Sequence, residues 1–487
     1  MIMYPNKEFD VIIIGAGVIG SAIARYLTRF ETNILVLEKH NDVGDEASGA
    51  NSGIVHSGYD PLPGTNKAKF NVLGAKMMKK ACEELDVPYQ NIGSLTISFN
   101  EEDNKTLLDL QKRGFENGVE TKILTREETL TIEPNLSKEV CGALLAPTAG
   151  IVSPFELTVK LMENAIDNGA VLKLNSEVTK ITKIDEFYKV FCKNGSEFIS
   201  KCIVDAAGLY SDKVEAFVEK TKFKITPRKG EYFVLDHFDP NFIKHTIFLC
   251  PTKVGKGVLI SQTTSGNYLV GPSNDASDVD DTSTDSETLN EIKKIALKIC
   301  PSLPFGENIR QFTGIRPNSD FNDFVIEESS LNPNFFIVGG IMSPGLASSV
   351  AIGEYVSDLI KNKLNLSENK AFNPKVRKHS SLKKLGTIEF NKLIQSNPLY
   401  GHLICRCEKI SEAEIVDAIH RNCGARTIKG VKKRVRPGFG KCQGTFCESE
   451  VAKILARELN TDISNVCYSE LGTNVVLESL KGAKDDK

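Results

Sequence analysis

The stretch Gly15-Ala16-Gly17-Val18-Ile19-Gly20 follows directly on the apolar run Val11-Ile12-Ile13-Ile14. The run from Phe9 to Ile14 reads as a buried strand. A helix is expected from about Gly17 to Phe30. A second strand, Asn33 to Leu37, then ends at Glu38, which lies 18 residues after Gly20. Strand, glycine turn, helix, strand and acid in this order specify a βαβ unit that holds a dinucleotide. The glycines allow a tight turn, close approach of a pyrophosphate, and close packing of helix on strand. The pyrophosphate sits where unpaired N–H groups point out of the helix N-terminus. Glu38 is placed to accept hydrogen bonds from the adenosine ribose. An acid there argues against a 2′-phosphate, which leaves FAD or NAD. Gly339-Gly340 and Gly255-x-Gly257 lack the spacing of a second, nicotinamide-binding fingerprint. One tightly held dinucleotide that takes electrons from a substrate is the expectation.

A chain of 487 residues is long enough for two or three domains. Its 41% apolar and 25% charged residues are ordinary for a soluble protein, and a net charge of -3 leaves no nucleic-acid footprint. No apolar run has the length of a membrane span, and Met1 to Asp10 lacks the pattern of a signal peptide. The expected location is the cytoplasm. Twelve cysteines in a chain this long do not make a disulfide scaffold. Cys82, Cys141, Cys192, Cys202, Cys250 and Cys300 read as buried or incidental thiols.

Four others have a different pattern. Cys405-x-Cys407 is followed after 34 residues by Cys442-x4-Cys447. Leu403 to Cys407 reads as a short strand and turn. Ser411-x-x-Glu414 is a capping box that opens a helix. Thr427 to Val435 is a short basic segment. The loop Gly438-x-Gly440-x-Cys442-Gln443-Gly444-x-x-Cys447 brings the second pair to a helix running from about Glu448 to Leu459. Four thiolates suit a [2Fe-2S] cluster or a zinc ion. Cys423 and Cys467 fall outside the pattern.

The stretch Ala47-Ser48-Gly49-Ala50-Asn51-Ser52-Gly53-Ile54-Val55-His56-Ser57-Gly58 resembles a segment of the FAD-dependent amine and hydroxy-acid oxidoreductases, the D-amino-acid-oxidase-like group. Within that group the chain looks closest to the anaerobic glycerol-3-phosphate dehydrogenase large subunit and to L-2-hydroxyglutarate dehydrogenase. The resemblance runs over residues 9 to 365 and implies bound FAD. It implies FAD contacts at Gly15, Gly17, Gly20, Glu38 and Lys39, and at Ser48, Gly49, Asn51 and Ser52. Further contacts are implied at Val178, at Ala207 and Gly208 after the strand Ile203-Val204-Asp205, and at Gly340, Ile341, Pro344, Gly345, Leu346 and Ala347. The last group opens a helix whose N-terminus would face the flavin. It also puts His56 near the ring, where an imidazole can take the proton of a substrate hydroxyl. Residues 403 to 459 resemble a bacterioferritin-associated-ferredoxin-like domain, which implies a [2Fe-2S] cluster on Cys405, Cys407, Cys442 and Cys447. The glycines there let backbone N–H groups approach the cluster.

The fold expected is α/β. A Rossmann-like FAD-binding domain (1–80, 151–221 and 326–365) carries an inserted antiparallel-sheet substrate domain (81–150 and 222–325). A connector (366–402) leads to a small α+β cysteine domain (403–460) and a tail (461–487). Tyr232 to Leu235, Thr246 to Leu249, Gly257 to Thr263 and Tyr268 to Val270 read as strands, Asp275 to Glu287 as a surface loop, and Ser286 to Cys300 as a helix.

Arg316, in Thr313-Gly314-Ile315-Arg316-Pro317, is the expected anchor for a substrate anion, because a guanidinium grips carboxylate or phosphate with two parallel bonds. Tyr232, in Lys229-Gly230-Glu231-Tyr232, is expected to line the pocket; the family has arginine where Lys229 stands. The cysteine module favours sn-glycerol 3-phosphate as substrate. However, His56-Ser57-Gly58-Tyr59-Asp60 lacks the arginine that the glycerol-3-phosphate enzymes carry just after the His-x-Gly pair. Pro61 to Phe70 and Ser343-Pro344-Gly345 lean towards L-2-hydroxyglutarate. Lys67 and Lys69 are candidates for the missing charge. An amino-acid or amine oxidoreductase is a further alternative, as are an oxygen-reducing oxidase and a non-catalytic electron-transfer subunit. The leading expectation is hydride transfer to FAD followed by electron relay through the cluster. The acceptor is then a redox partner subunit or a quinone-linked carrier, with membrane association only peripheral and through that partner.

Overall fold

The computed structural model describes residues 8–251 and 257–476. Gly255 and the end of the expected tail lie outside the described residues. The chain divides into two compact units. One runs to Lys39 and resumes over Gly44–Val376; the other joins His40–Val43 to the residues from Arg377 onward.

The first unit is built on two large sheets. The eight-stranded sheet has the order Val178–Ile184, Phe187–Cys192, Glu197–Asp205, Glu8–Ile14, Ile34–Leu37, Val171–Lys173. Phe335–Gly339 lies parallel to the C-terminal half of Glu197–Asp205 and is flanked by antiparallel Val325–Glu328. The central strands Glu8–Ile14, Ile34–Leu37 and Glu197–Asp205 are parallel, as a crossover helix requires. That helix, Val18–Leu27, is shorter at both ends than expected: Gly17 is its N-cap and Thr28 its C-cap. It is buried along its whole length, as expected for a helix covering a parallel sheet. Helix Gly345–Leu364 packs on it so closely that a Cβ on Gly353 would lie 2.8 Å from Ala22 backbone.

The nine-stranded sheet has the order Asp275–Ala276, Arg228–Leu235, Tyr268–Gly271, Leu259–Gln262, Thr246–Leu249, Ser94–Ser98, Gly142–Ala146, Lys122–Thr125, with Asn308–Arg316 along the other side of Arg228–Leu235. One pair departs from the antiparallel expectation: Thr246–Leu249 and Ser94–Ser98 run parallel where two sequence-distant segments meet. Inward residues such as Leu95, Ile97, Ile247, Ile260 and Val270 form its core against helix Ser286–Ile299. The expected surface loop Asp275 to Glu287 is partly ordered by pairing. Asp275–Ala276 bonds to Arg228–Lys229, and Asp285 caps the following helix. Of the expected connector, the residues up to Val376 belong to the first unit and those from Arg377 to the second.

The second unit packs helices Glu412–His420, Ile428–Val435 and Glu448–Glu458 around Ile415, Ile419, Val431, Val451 and Leu455, all fully buried. A hairpin of Leu403–Cys405 and Ile410–Ser411 leads into the first helix, whose capping box has both of its hydrogen bonds. Asp42 is also in this unit. Its carboxylate lies 2.9 Å from Lys433 Nζ and 2.8 Å from Arg434 Nη2, and all three side chains are buried. Burial alone would raise the Asp42 pKa, but Arg434 and Lys433 outweigh it and hold the carboxyl well below the usual carboxylate range.

A depressed folded pKa means that the Asp42 contribution is complete at neutral pH and fades as pH falls below about 4. Asp42→Asn leaves two buried cations facing a neutral amide. We expect it to destabilise the second unit by roughly 3–5 kcal/mol, since removing one partner of a buried pair strands the other. Thermal unfolding at neutral pH measures this, and the difference from wild type should shrink on acidification.

Candidate functional site

The dinucleotide cradle is set by backbone approach. Gly15 has φ +101°, and a Cβ there would lie 2.5 Å from the Ala206 carbonyl oxygen. At Gly20 a Cβ would lie 2.0 Å from the Gly15 carbonyl oxygen. Neither position has room for a side chain. Glu38 is buried, and its Oε2 accepts from Ala16 N–H at 2.7 Å, which ties the end of the second strand to the glycine turn. The Val18 N–H donates to Ser48 Oγ at 2.9 Å. The N-cap residues of Val18–Leu27 and Gly345–Leu364, Gly17 and Pro344, make no side-chain cap bond, and beyond Val18, which Ser48 takes up, first-turn N–H groups are left for an anionic or carbonyl ligand.

A cavity of about 540 Å³ opens along these elements. Of the residues singled out from sequence, Gly17, Ser48, Asn51, Ser52, His56, Gly208, Tyr232, Arg316, Ile341, Pro344, Gly345 and Leu346 line it. The others stand behind the wall. Gly15, Gly20 and Glu38 shape the turn as described. Gly49 packs on the Gly44 carbonyl, and Gly340, at φ +63°, on Ser319. Ala207 N–H bonds to Asp205, and Ala347 is buried with its carbonyl against Gly74. Val178 starts an outer strand paired with Cys192. Lys39 bonds to Glu46 at 2.5 Å, with its ammonium over the Tyr210 ring.

His56, Arg316 and Tyr232 reach this cavity from different elements. The His56 carbonyl accepts from Asn71 Nδ2 at 2.6 Å, and its ring stacks on Phe248 at 5.5 Å between centroids. Arg316 ends the strand Asn308–Arg316. Its Nη1 donates to Asn274 Oδ1 at 2.8 Å and its Nη2 to the Ser273 carbonyl at 2.6 Å. Both acceptors are neutral, so the guanidinium is held in place without losing its charge to a carboxylate. Gly230 is required beside it, because a Cβ there would lie 2.1 Å from Arg316 Nη2. Gly314 is required for a second reason: its Cβ would lie 1.8 Å from the Ala50 carbonyl oxygen, in the loop carrying Ser48 and Asn51. Burial raises the Tyr232 pKa, with Arg316 and Ser52 opposing, so its hydroxyl stays protonated at neutral pH. Lys229 is taken up by Asp281 at 3.1 Å.

Two lining residues carried no sequence signal. Arg113, on helix Glu101–Glu116, lines the cavity and donates to the Asp60 carbonyl at 2.7 Å. Phe248 comes from the substrate sheet. Lys67 lines the cavity, with its ammonium on the Asn322 carbonyl at 2.6 Å. Lys69 is exposed and lies over Phe70 and Tyr355 instead.

In the second unit, Cys405 and Cys447 are buried while Cys407 is exposed and Cys442 half-buried. Cys407 and Cys442 have their sulfurs 3.6 Å apart. Cys447 hydrogen-bonds to Cys405 and holds its pKa down to about 6, helped by backbone N–H groups of Glu408 and Gly438. The Cys447 thiol is pushed up in return. Among the described residues the thiols form two pairs and no group of three around a point. Two pairs of thiols are a donor set that either a [2Fe-2S] cluster or a tetrahedral zinc ion can use. Gly440 leaves room for Cys407, whose Cβ would lie 2.4 Å from an added Cβ.

Residues 10–359 match the family described as FAD dependent oxidoreductase. The chain belongs to that family. This oxidoreductase also carries a BFD-like [2Fe-2S] binding domain over residues 403–457. It is therefore an FAD-dependent enzyme with an iron-sulfur module, acting on a small polar substrate. It is 45% identical to a glycerol 3-phosphate dehydrogenase of Caloramator mitchellensis, over 96% of this chain and 98% of that one. A glycerol 3-phosphate oxidase of Mycoplasma genitalium is 37% identical over 74% of this chain and 97% of its own. The solved L-alpha-glycerophosphate oxidase of Mycoplasma pneumoniae, with FAD bound, superposes with a TM-score of 0.72 at 33% identity, covering 76% of this chain and 99% of that one. No helix among the described residues is long and apolar enough to cross a membrane.

Protein purified without oxygen is expected to hold about two irons and two inorganic sulfides per chain. Cys442→Ser should lose them and keep its FAD. Iron, sulfide and flavin assays check this; one zinc with no acid-labile sulfide would be the contrary result.

Proposed function

We propose that this oxidoreductase oxidises sn-glycerol 3-phosphate to dihydroxyacetone phosphate and sends the electrons out through its cluster to a separate acceptor. The observation that carries the reading is one cavity lined both by the dinucleotide elements and by His56, Arg316, Lys67 and Arg113. Gly15, Gly17, Gly20, Glu38, Ser48 and the N-terminus of helix Gly345–Leu364 would hold FAD, and the four cysteines the cluster. Bound FAD supplies a hydride acceptor, and the cluster a one-electron carrier. Arg316 grips the substrate phosphate. Arg113 and Lys67 supply the positive charge that the His56-Ser57-Gly58 segment lacks. His56 takes the hydroxyl proton as the carbon gives up its hydride. Tyr232 stays neutral, donates a hydrogen bond and keeps water from the reacting carbon.

The likeness to the Caloramator glycerol 3-phosphate dehydrogenase over nearly the whole chain supports the substrate. Relatives named L-2-hydroxyglutarate dehydrogenase are more distant, at 29% identity over 54% of the chain for one from Escherichia coli. Length supports a dehydrogenase over an oxidase. The Mycoplasma genitalium oxidase is matched over 97% of its own length by only 74% of this chain, so it is too short to hold a counterpart of the rest.

Anaerobic mixing with sn-glycerol 3-phosphate is expected to bleach the flavin, while L-2-hydroxyglutarate leaves it oxidised; the reverse outcome would reassign the substrate. Arg316→Leu should keep FAD and lose roughly 2–5 kcal/mol of transition-state binding, as for truncation of one partner of a buried charge pair. That is a fall of about 30-fold to several thousandfold in kcat/KM for flavin reduction. Arg113→Ala should act chiefly on KM, by about tenfold, as expected for a rim cation that binds substrate and transition state alike.

A further inference from the structure

We propose that Arg228, which does not itself line the cavity, sets its head-group specificity: with Arg316 it makes one end of the cavity a doubly positive seat for a dianionic group such as a phosphate monoester. The inference rests on the reading of Arg316 as the phosphate anchor, and it adds a second residue and the charge that the head group must carry. Arg228 opens the strand Arg228–Leu235, and Arg316 ends Asn308–Arg316. The two residues stand directly opposite each other in this antiparallel pair. Gly230 lies two residues on, on the same face as Arg228. Its missing side chain leaves the space that the Arg316 guanidinium occupies.

One neutral side chain joins the two arginines. Asn274 Oδ1 accepts from Arg228 Nε at 2.8 Å and from Arg316 Nη1 at 2.8 Å, so the two nitrogens are at most twice that distance apart. Arg228 Nη2 also donates to the Asn274 carbonyl, and Arg316 Nη2 to the Ser273 carbonyl. Among the described residues these are all the hydrogen-bond and ion-pair partners of the two guanidiniums, and none is a carboxylate. Asp281 and Glu231 are engaged by Lys229, at 3.1 and 3.6 Å, and successive strand residues point to opposite faces, so this group lies away from Arg228. Asp275 stands opposite Lys229 in register and shares that other face.

Like charges directly opposite each other are destabilising, and here only an amide oxygen stands between them. A bound anion relieves that repulsion. Arg316 and Asn274 line the cavity, so the charge pair faces it with Arg228 behind. A carboxylate brings one negative charge. A phosphate monoester, with its second pKa at about 6, brings close to two at neutral pH. Coulomb attraction scales with the charge of the ligand, so the second cation favours phosphate over a single carboxylate. L-2-Hydroxyglutarate spreads its two charges over separate carboxylates and presents one of them to this end. Arg228 is therefore a positioning residue: it holds Asn274 and Arg316 in place and adds a charge that substrate meets only through space.

The test measures binding without turnover, by titration calorimetry of the oxidised holoenzyme at about pH 7.5 with two probes that carry no alcohol: methyl phosphate, a dianion there, and acetate, a monoanion. Wild type is expected to bind methyl phosphate roughly tenfold or more tighter than acetate. Arg228→Gln should weaken methyl phosphate by roughly tenfold and acetate by only roughly threefold, because halving the ligand charge halves the logarithm of the loss. Arg228→Lys keeps the charge and should keep the preference. Asn274→Asp retains the oxygen that both guanidiniums use and adds a negative charge. It should hold them at least as firmly and still weaken methyl phosphate by roughly tenfold or more. If Arg228→Gln fails to fold or loses FAD, Asn274→Asp and the wild-type preference decide the matter. A wild type without the preference, equal losses for both probes in Arg228→Gln, a lysine variant as poor as the glutamine one, or Asn274→Asp binding methyl phosphate as tightly as wild type would each overturn the proposal. If Arg316→Leu binds methyl phosphate as wild type does, the anchor reading itself fails. If Arg316→Leu loses that binding while the Arg228 and Asn274 variants keep it, the anchor stands and this proposal alone falls.

Discussion

At Gly20 the first crossover helix comes so close to the Gly15 carbonyl that a Cβ would sit 2.0 Å from it, and at Gly15 the turn passes 2.5 Å from Ala206 by the same measure. Three strands and a helix thus meet where only backbone fits. That contact orients Val18–Leu27 so that its N-terminus, with Gly17, Val18 and Ile19, lines the cavity. It also brings Glu38 to Ala16, and so fixes where a ribose and a pyrophosphate can lie. Packing of Gly345–Leu364 on the same helix then sets the position of a second helix N-terminus, this one without a side-chain cap.

The substrate side is attached by the same device. Gly314 lets the strand ending at Arg316 lie against Ala50, and Gly230 makes room for the Arg316 guanidinium. A sheet assembled from separate stretches of chain is thereby held in register with the loop that carries His56. Neutral acceptors, Asn274 and Ser273, hold the guanidinium and leave its charge for a substrate anion. The result is one cavity with a dinucleotide wall and a cationic wall, which is what direct hydride transfer from an anionic alcohol requires.

What was legible in the sequence follows from how local each signal is. The glycine turn, Glu38 and the capping box at Ser411 act within a few residues or one βαβ unit, and their residue types carry the geometry. The paired cysteines announce themselves because little else uses that spacing. Arg113 was not legible. It is one charged residue on an otherwise ordinary amphipathic helix, and only the fold brings it to Asp60. Phe248 under His56 depends on a parallel strand pairing between segments far apart in sequence. The buried Asp42, Lys433 and Arg434 group joins residues nearly four hundred positions apart, and no periodicity encodes such a meeting. Lys69 shows the opposite limit: its type suited a substrate anion, but its place on the helix turned it to Phe70 and Tyr355.

The central claim is that substrate electrons enter at the flavin and leave through the cluster, in that order. Rapid freeze-quench of the anaerobic enzyme after mixing with sn-glycerol 3-phosphate tests it most directly, with flavin absorbance and the paramagnetic signal of the reduced cluster followed over one turnover. The account predicts that the flavin bleaches first and the cluster signal rises afterwards at the expense of reduced flavin. A cluster that stays oxidised while the flavin is fully reduced, or one that is reduced in protein lacking FAD, would contradict it.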